Sequence, residues 1–348
     1  MANKMYQYKP LIEQDSIRLL ILPPSADSAA DVHCTLLTTT LSELENDPFH
    51  GYTALCYVWG DPGKRKVIYV DNKTIGITVN LDSALREIRD SLREQHLWID
   101  AICIDQADSP EKSKQVIQMT RVYQIARNTI IYLGESTESS TLLLGAISRA
   151  YKQKAGYHYE KLERLFSELV QRSWFTRVWV FQELLFSVDP WVQCGRLHVS
   201  WGHLYQATEA IAVVGFAAFQ HSEAYRVFAA MNKERSNFKS ARRPSKILAE
   251  NLINLLTARR GLGVSDPRDM VFAHNGIVQT SSYQTFLEAE EIAIDYSKSV
   301  EKVFTDLACH CLKIFPDYRR LEILSYKENR TGCRAKENEL EVPSWVPD

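Results

Sequence analysis

Three short apolar runs alternate with helical patterns in the first half of the chain, and this alternation constrains the fold more than any other feature. The runs are Tyr52–Trp59, His96–Asp100 and Thr129–Leu133. Between the last two a helix is expected to start at Asp108, which can cap it, followed by an early proline and an acidic residue. Strands separated by helices and short loops are typical of a parallel sheet with covering helices. The predicted fold class is therefore α/β.

Further elements extend this pattern in both directions. Ile17–Leu22 is expected to be an edge strand, and Asp71–Lys73 the turn of a hairpin. Helices are predicted at Leu81–Leu92, Thr141–Lys154, Glu160–Gln171 and Trp174–Phe186, a strand at Trp191–Cys194, and helical stretches at 201–230, 245–260 and 299–315. The predicted division is a lead-in at 1–50, an α/β core at 50–195 and a mainly helical part at 196–348. The extended, proline-bracketed end at 342–348 predicts a longer native protein.

Charge and cysteine usage exclude several classes of protein. A formal net charge of -2 argues against a nucleic-acid partner, because phosphate binders carry a clearly basic face. The basic stretch from Lys233 to Lys246 is interpreted as a solvated loop.

The 7 cysteines are scattered without a CxxC pair, so a reduced compartment and no metal site are expected. No run approaches the ~18 apolar residues of a membrane span, and a cytoplasmic location is expected.

Familiar catalytic motifs are missing from the sequence. It contains neither GxGxxG nor a Walker loop, which argues against dinucleotide-binding Rossmann and P-loop enzymes. GxSxG and HExxH are also absent, which removes the commonest hydrolase and zinc-protease signatures.

Polar residues follow two of the predicted strands. Trp59, Gly60 and Asp61 end the first, and Asp100, Asp105 and Gln106 end or follow the second. In open parallel sheets, ligands bind beyond the carboxyl ends of the strands, so these residues are candidates for a binding site. The alternative is structural, since aspartates cap helices and Gly-Asp pairs make turns.

A third candidate locus lies on the predicted helix Trp174–Phe186. This helix is apolar on most sides, yet it carries Gln182 and Glu183, with Trp179 one turn before Glu183. Burial would raise the pKa of the glutamate, which is how general acids and bases are made. The alternative is a salt bridge to Arg172 or Arg177.

Several of these segments resemble the HET (heterokaryon incompatibility) domain of filamentous fungi. The similar segments are Tyr52–Pro62, Leu97–Gln106 running on to Gly134, Trp174–Glu183, Asp266–Ala273, Asp295–Ser299 and Pro343–Pro347. The resemblance runs from about residue 50 to the end. Departures are small: Cys56 stands where serine is common, Asp105 where asparagine is usual, and His274-Asn275 replaces an apolar pair.

The resemblance implies a trigger of fungal incompatibility cell death. The HET family has been viewed as distantly similar to TIR domains, which are flavodoxin-like, so a TIR-like parallel sheet is implied for residues 50–195. Many TIR domains hydrolyse NAD with a glutamate four residues after a tryptophan, the spacing of Trp179 and Glu183.

By this resemblance, the chain is expected to be an NAD nucleosidase, with NAD as substrate and no other cofactor. Glu183 would be catalytic, and the substrate would be bound by Trp59, Gly60, Asp61, Asp100, Asp105, Gln106, Trp179 and Gln182. The alternative is a non-catalytic signalling module that self-associates or recruits an incompatibility partner protein.

Overall fold

The apolar runs are neighbouring strands of one sheet in a computed structural model that describes residues 4–47, 51–153, 159–214, 217–240, 263–279 and 293–314. The sheet has nine strands in the order β5-β4-β2-β1-β6-β3-β7-β8-β9. The strands are β1 (Ser16–Leu22), β2 (His33–Thr40), β3 (Thr53–Tyr57), β4 (Arg65–Val70), β5 (Lys73–Thr78), β6 (Gln95–Trp98), β7 (Asn128–Tyr132), β8 (Pro190–Cys194) and β9 (Leu197–Ser200). The predicted α/β class is confirmed.

The helices occupy most of the predicted positions. They are α1 (Leu41–Asn46), α2 (Val79–Ile88), α3 (Asp100–Cys103), α4 (Ser109–Ile125), α5 (Glu138–Gln153), α6 (Tyr159–Val170), α7 (Trp179–Phe186), α8 (Trp201–Val214), α9 (Ala217–Gln220), α10 (Glu223–Ser240), α11 (Asp269–Gln279) and α12 (Val300–Ile314). As predicted, Asp108 caps α4: its carboxylate accepts the Glu111 backbone N–H at 3.0 Å. The helix expected at 245–260 and the chain end at 342–348 lie outside the described residues.

Four adjacent strands form a continuous parallel block within the sheet. β6, β3, β7 and β8 pair in that order, each parallel to its neighbours. Numbered along the chain, their order is 2-1-3-4, the order of flavodoxin-like sheets. The order reverses between β3 and β7, so the carboxyl ends of these two strands flank the point where such sheets bind ligands. The sheet as a whole is mixed, and the narrower resemblance to TIR domains stays a prediction.

The first strand lies inside the sheet, so the predicted edge position is wrong. β1 pairs antiparallel with β2 on one side and with β6 on the other. The loose alternation of apolar and polar residues suggests that one face of this strand is exposed. Its polar residue Arg18 is nevertheless only 2% exposed, and it donates to the Cys103 carbonyl oxygen at 3.0 Å. The segment expected to be a lead-in thus supplies β1 and β2 to the sheet.

The predicted hairpin is confirmed as β4 and β5. Asp71 and Asn72 join the two strands with φ angles of 49° and 61°. Two successive residues with positive φ are what a tight type I′ turn requires. The helix that follows, α2, ends at Ile88, earlier than expected, because the Asp90 carboxylate accepts the backbone N–H groups of Leu92 and Arg93 and turns the chain.

The helix predicted at Trp174–Phe186 is broken. A 3-10 turn covers Ser173–Thr176, and Arg177 is extended, with φ -88° and ψ 143°, before α7 begins. The prediction of one continuous helix failed because apolar residues on both sides of Arg177 are buried, which hides the break from hydrophobic periodicity.

The described basic residues of the 233–246 stretch lie on a helix, which corrects the predicted loop. α10 runs through Ser240, and the Arg235 guanidinium donates to the carbonyl oxygens of Leu184, Leu185 and Val188. These contacts satisfy acceptors at the end of α7 that have no partner within the helix. Burial lowers the pKa of Arg235 to about 10.

The chain divides into two compact units. The first comprises Met1–Ala107 and Gln118–Ser240 and contains the whole sheet. The second comprises Asp108–Ile117 and Ala241–Asp348. In the second unit, the Tyr296 ring packs against Lys112, whose Nζ lies 3.9 Å from the ring centroid, and Arg268 donates to the Tyr296 carbonyl oxygen.

Candidate active site

A buried carboxyl group lies beside the carboxyl end of β3. Glu183, on α7, is only 7% exposed. Burial raises the pKa of its carboxyl to about 7, with the charge of Asp100 adding to the rise, while hydrogen bonds from Cys56 and Tyr123 and the charge of Arg177 oppose it. Among the described residues, Oε2 of Glu183 has no hydrogen-bond partner. This oxygen is free to accept a hydrogen bond or to face positive charge.

A second acidic residue, Asp100, affects the carboxyl group of Glu183 through its charge. β6 stops at Trp98 instead of running to Asp100, which becomes the first residue of α3. The Asp100 carboxylate accepts the Trp59 indole N–H at 2.8 Å and the Ala101 backbone N–H at 2.8 Å. The structure thus brings Glu183, Asp100 and Trp59 to one end of the sheet, although they are far apart in sequence.

Three side chains around Glu183 were not predicted as site residues from the sequence. Cys56 and Tyr57 are on β3 and Tyr123 is on α4; all three are buried. Burial raises the pKa of each, with Glu183 adding to the rise. The Cys56 sulfur accepts the indole N–H of Trp174 at 3.0 Å, and the Tyr57 hydroxyl has no hydrogen-bond partner among the described residues. The one sequence signal was at Cys56, which stands where HET domains commonly have serine.

The glycine after β3 is required by its backbone. Gly60 has φ +82°, and a Cβ built on it would lie 2.8 Å from Nδ2 of Asn80. Asn80 is held there because it donates to the Val58 carbonyl oxygen at 3.2 Å. The neighbouring Asp61 is exposed, and its carboxylate accepts the Gly63 backbone N–H at 2.9 Å, which is the structural alternative considered for it.

The other predicted binding residues differ in their burial and in their hydrogen-bond partners. Gln106 donates to the Asp100 carbonyl oxygen at 2.9 Å, so it holds the turn that presents Asp100. Asp105 is half-buried and accepts the Ala107 backbone N–H at 3.0 Å. On α7, Trp179 is 8% exposed, and Gln182 is buried and donates to Thr120 at 3.4 Å.

The two arginines considered as salt-bridge partners of Glu183 have different positions. Arg172 donates to the carbonyl oxygens of Leu133 and Glu135, at 2.9 and 3.1 Å, so it is engaged at the end of β7. Arg177 acts on Glu183 through its charge, which lowers the glutamate's pKa against the stronger effect of burial.

The described residues offer little for other kinds of site. They contain no group of three or more His, Cys, Asp or Glu placed to hold a metal ion. A groove of about 700 Å³ is lined by residues of β2 and α1, by Leu19 of β1 and by His96 of β6. None of the described helices combines the length and apolar character needed to cross a bilayer.

Two similarities to known proteins accompany this geometry. The family model "Heterokaryon incompatibility protein (HET)" matches residues 52–183. The chain is 26% identical over 420 aligned positions to heterokaryon incompatibility protein 6, OR allele, of Neurospora crassa. This alignment covers 100% of the chain but 60% of the relative's length. No solved structure matches the chain.

The matched stretch coincides with the candidate site. It begins one residue before β3 and ends on Glu183, and it contains Asp100 and both tyrosines beside the carboxyl group. The first three segments that carried the resemblance in the sequence therefore lie in this stretch and build this end of the sheet. Residues 52–183 are thus similar to the heterokaryon incompatibility (HET) family, and the whole chain is similar to a heterokaryon incompatibility protein of Neurospora crassa.

Proposed function

We propose that this chain acts in heterokaryon incompatibility as an NAD-consuming enzyme that cleaves the bond between nicotinamide and ribose. The role in incompatibility is supported by the family match and by the name of the Neurospora relative. The observation that carries the chemistry is the Glu183 carboxyl: buried, with a pKa of about 7 and with one oxygen unused, at the carboxyl end of β3.

The proposed reaction uses the charge of this carboxylate. As the C–N bond breaks, its electron pair leaves with nicotinamide and positive charge develops on the ribose. A fixed carboxylate in a site of low dielectric stabilises that charge more strongly than water does. A water molecule then forms the new C–O bond at the anomeric carbon and releases its proton, which Glu183 can accept. The products are nicotinamide, ADP-ribose and one proton.

The surrounding residues have supporting roles in this proposal. Asp100 binds a ribose hydroxyl, and Trp59 and Gln106 orient it through the hydrogen bonds described above. Gly60 lets the backbone approach the substrate. Trp179 walls the site from its position one turn before Glu183. Asp61, Asp105 and Gln182 complete the set of residues proposed to contact the dinucleotide.

A second candidate function is favoured by the closure of the site. Glu183 is 7% exposed and Trp179 is 8% exposed, so a substrate reaches the carboxyl only if a neighbouring segment moves. A domain whose polar network only stabilises its fold would instead trigger cell death by self-association or by recruiting a partner protein. In that case Glu183 has no substrate.

The test compares NAD cleavage by the purified chain and its Glu183→Gln variant, with and without a crowding agent that favours assembly. Glu168→Gln is the matched control, since Glu168 is paired with Arg164 on the surface of α6. We expect Glu168→Gln to match the wild type, and a folded Glu183→Gln to lose ~100-fold or more of the activity. Killing of fungal cells that express each variant should follow the same order.

Two results would contradict the enzymatic proposal. One is a folded Glu183→Gln protein that still cleaves NAD and still kills. The other is a wild-type chain that kills without any loss of cellular NAD, which would favour the signalling module.

A further inference from the structure

An arginine lies fixed at the carboxyl end of β7, beside the point where the strand order reverses. Nη1 of Arg172 donates to the carbonyl oxygens of Leu133 and Glu135, and Nη2 donates to the Thr137 hydroxyl at 3.3 Å. These three acceptors belong to the loop that follows β7. They hold the guanidinium in one orientation without neutralising its charge.

The positive charge of Arg172 is not balanced locally. Within the described part of the chain, no carboxylate lies at ion-pairing distance from its guanidinium. Glu135 supplies one of these acceptors through its backbone carbonyl, but its carboxylate accepts the Ser83 hydroxyl of α2 at 3.3 Å. Arg172 is thus a half-buried cation that forms no ion pair with the neighbouring Glu135. Such a cation is suited to bind an anion.

The backbone leaves space at this cation. Gly134 has φ +105°, and a Cβ built on it would lie 3.5 Å from Nη1 of Arg172. A side chain at this position would therefore cover the guanidinium, and the positive φ disfavours any residue with a side chain. Gly60, which also has a positive φ, lies in the loop after β3. The two glycines thus follow the two strands that flank the reversal point.

We propose that Arg172 and the Gly134–Thr137 loop form a subsite that binds the diphosphate of a dinucleotide. The inference rests on the proposed NAD chemistry and deepens it: with the ribose over the ends of β6 and β3, the diphosphate lies over the next strand, β7, about 4.8 Å further along the sheet. Arginine suits this role because its planar fork presents two N–H donors to phosphate oxygens.

The experiment measures binding of inorganic pyrophosphate to the purified chain by calorimetry at low and moderate salt. We expect the wild type to bind, Arg172→Gln to bind at least tenfold more weakly, and Arg172→Lys to lie between them. Arg164→Gln is the matched control, because Arg164 is exposed and already paired with Glu168; its affinity should stay within twofold of the wild type. Melting curves identify any variant that is unfolded, and Arg172→Lys then carries the test.

The result that overturns the proposal is pyrophosphate binding that is absent in the wild type or is equal in folded Arg172 variants. Failure of the catalytic proposal gives a different pattern. Glu183→Gln should bind pyrophosphate as the wild type does, whether or not the chain cleaves NAD. If it cleaves NAD, Arg172→Gln should raise KM with a much smaller change in kcat.

Discussion

Two carboxyl groups with nearly equal exposure respond to their surroundings in opposite ways. Glu183 in the first compact unit is 7% exposed, and Asp306 on α12 in the second is 8% exposed. Burial raises the pKa of Glu183 to about 7. Burial also acts to raise the pKa of Asp306, but hydrogen bonds from Lys302 and Lys298, at 2.7 and 3.1 Å, outweigh it and the pKa falls.

The difference shows that burial alone does not identify a reactive carboxyl. Asp306 is covered by two lysines that satisfy and neutralise it, which makes it a structural ion pair. Glu183 has one oxygen without a partner and the like charge of Asp100 acting on it. A group left in this state costs stability when it ionises, and such costs are concentrated at functional sites. Substitutions at Glu183, at Asp306 and at their hydrogen-bond partners therefore alter one carboxyl group at a time.

The largest effect is expected for Glu183→Gln, and it depends on pH. Because the folded pKa lies above the ordinary 4.5, the folded state holds its proton more tightly than the unfolded state. The wild type should therefore lose ~3 kcal/mol of stability between about pH 4.5 and pH 7, a loss that the variant does not share. Near pH 8 the variant should be the more stable protein, and at pH 4.5 the two should be similar.

Urea unfolding followed by tryptophan fluorescence measures this difference. The first unit contains Trp59, Trp98, Trp174, Trp179, Trp191 and Trp201, so the signal reports mainly on the part that holds Glu183. A variant that is less stable than the wild type at pH 8 would mean that Glu183 is held by a strong cationic partner, as Asp306 is.

Asp306→Asn should have a smaller effect of the opposite sign. It removes charge-assisted hydrogen bonds from two lysines, one of them largely exposed, and should destabilise the second unit by ~1–2 kcal/mol at pH 7. Because the folded pKa is depressed, the wild type has this stabilisation above its ordinary pKa of 3.8 and loses it as the pH falls further. Hydrogen exchange in Val300–Ile314 measures it; equal protection in both proteins at pH 7 would contradict the prediction.

The smallest effect is expected for Tyr123→Phe, which removes a hydroxyl that donates to the Leu55 carbonyl oxygen at 3.3 Å and also hydrogen-bonds Glu183. Since that bond favours the ionised carboxylate, its loss should raise the pKa of Glu183 further, by less than about one unit. The midpoint of the pH-dependent stability loss should move upward accordingly. Tyr52→Phe is the control, because the Tyr52 hydroxyl donates to the Val122 carbonyl oxygen. If both variants shift the midpoint alike, the effect is one of general packing.

Local signals predicted much of this structure. The buried strands, the Asp71–Asn72 hairpin, the Asp108 cap and the pairing of Trp179 with Glu183 on one helix follow from periodicity and turn chemistry. The central place of β1 did not, because strand neighbours are set by pairings between residues distant in sequence, such as Leu20 with Leu97.

The site shows the same limit. Asp100 was predicted as a binding residue, but nothing in the sequence indicated that its carboxylate accepts the indole N–H of Trp59. The sequence did not indicate the environment of Glu183 either. Its neighbours Cys56, Tyr57 and Tyr123 belong to a strand and a helix that are distant from it in sequence. Arg172 was considered as a partner of Glu183, whereas its acceptors lie in the loop after β7.

The central claim is that Glu183 keeps its proton until near neutral pH, unlike an ordinary glutamate. Its titration can be followed directly by carbon NMR of the chain labelled at the glutamate carboxyl carbons, with Glu183→Gln used to assign the signal. The account predicts a midpoint at about pH 7 for this resonance. A midpoint at or below the ordinary 4.5 would show a carboxylate already neutralised in the fold, and would contradict the account.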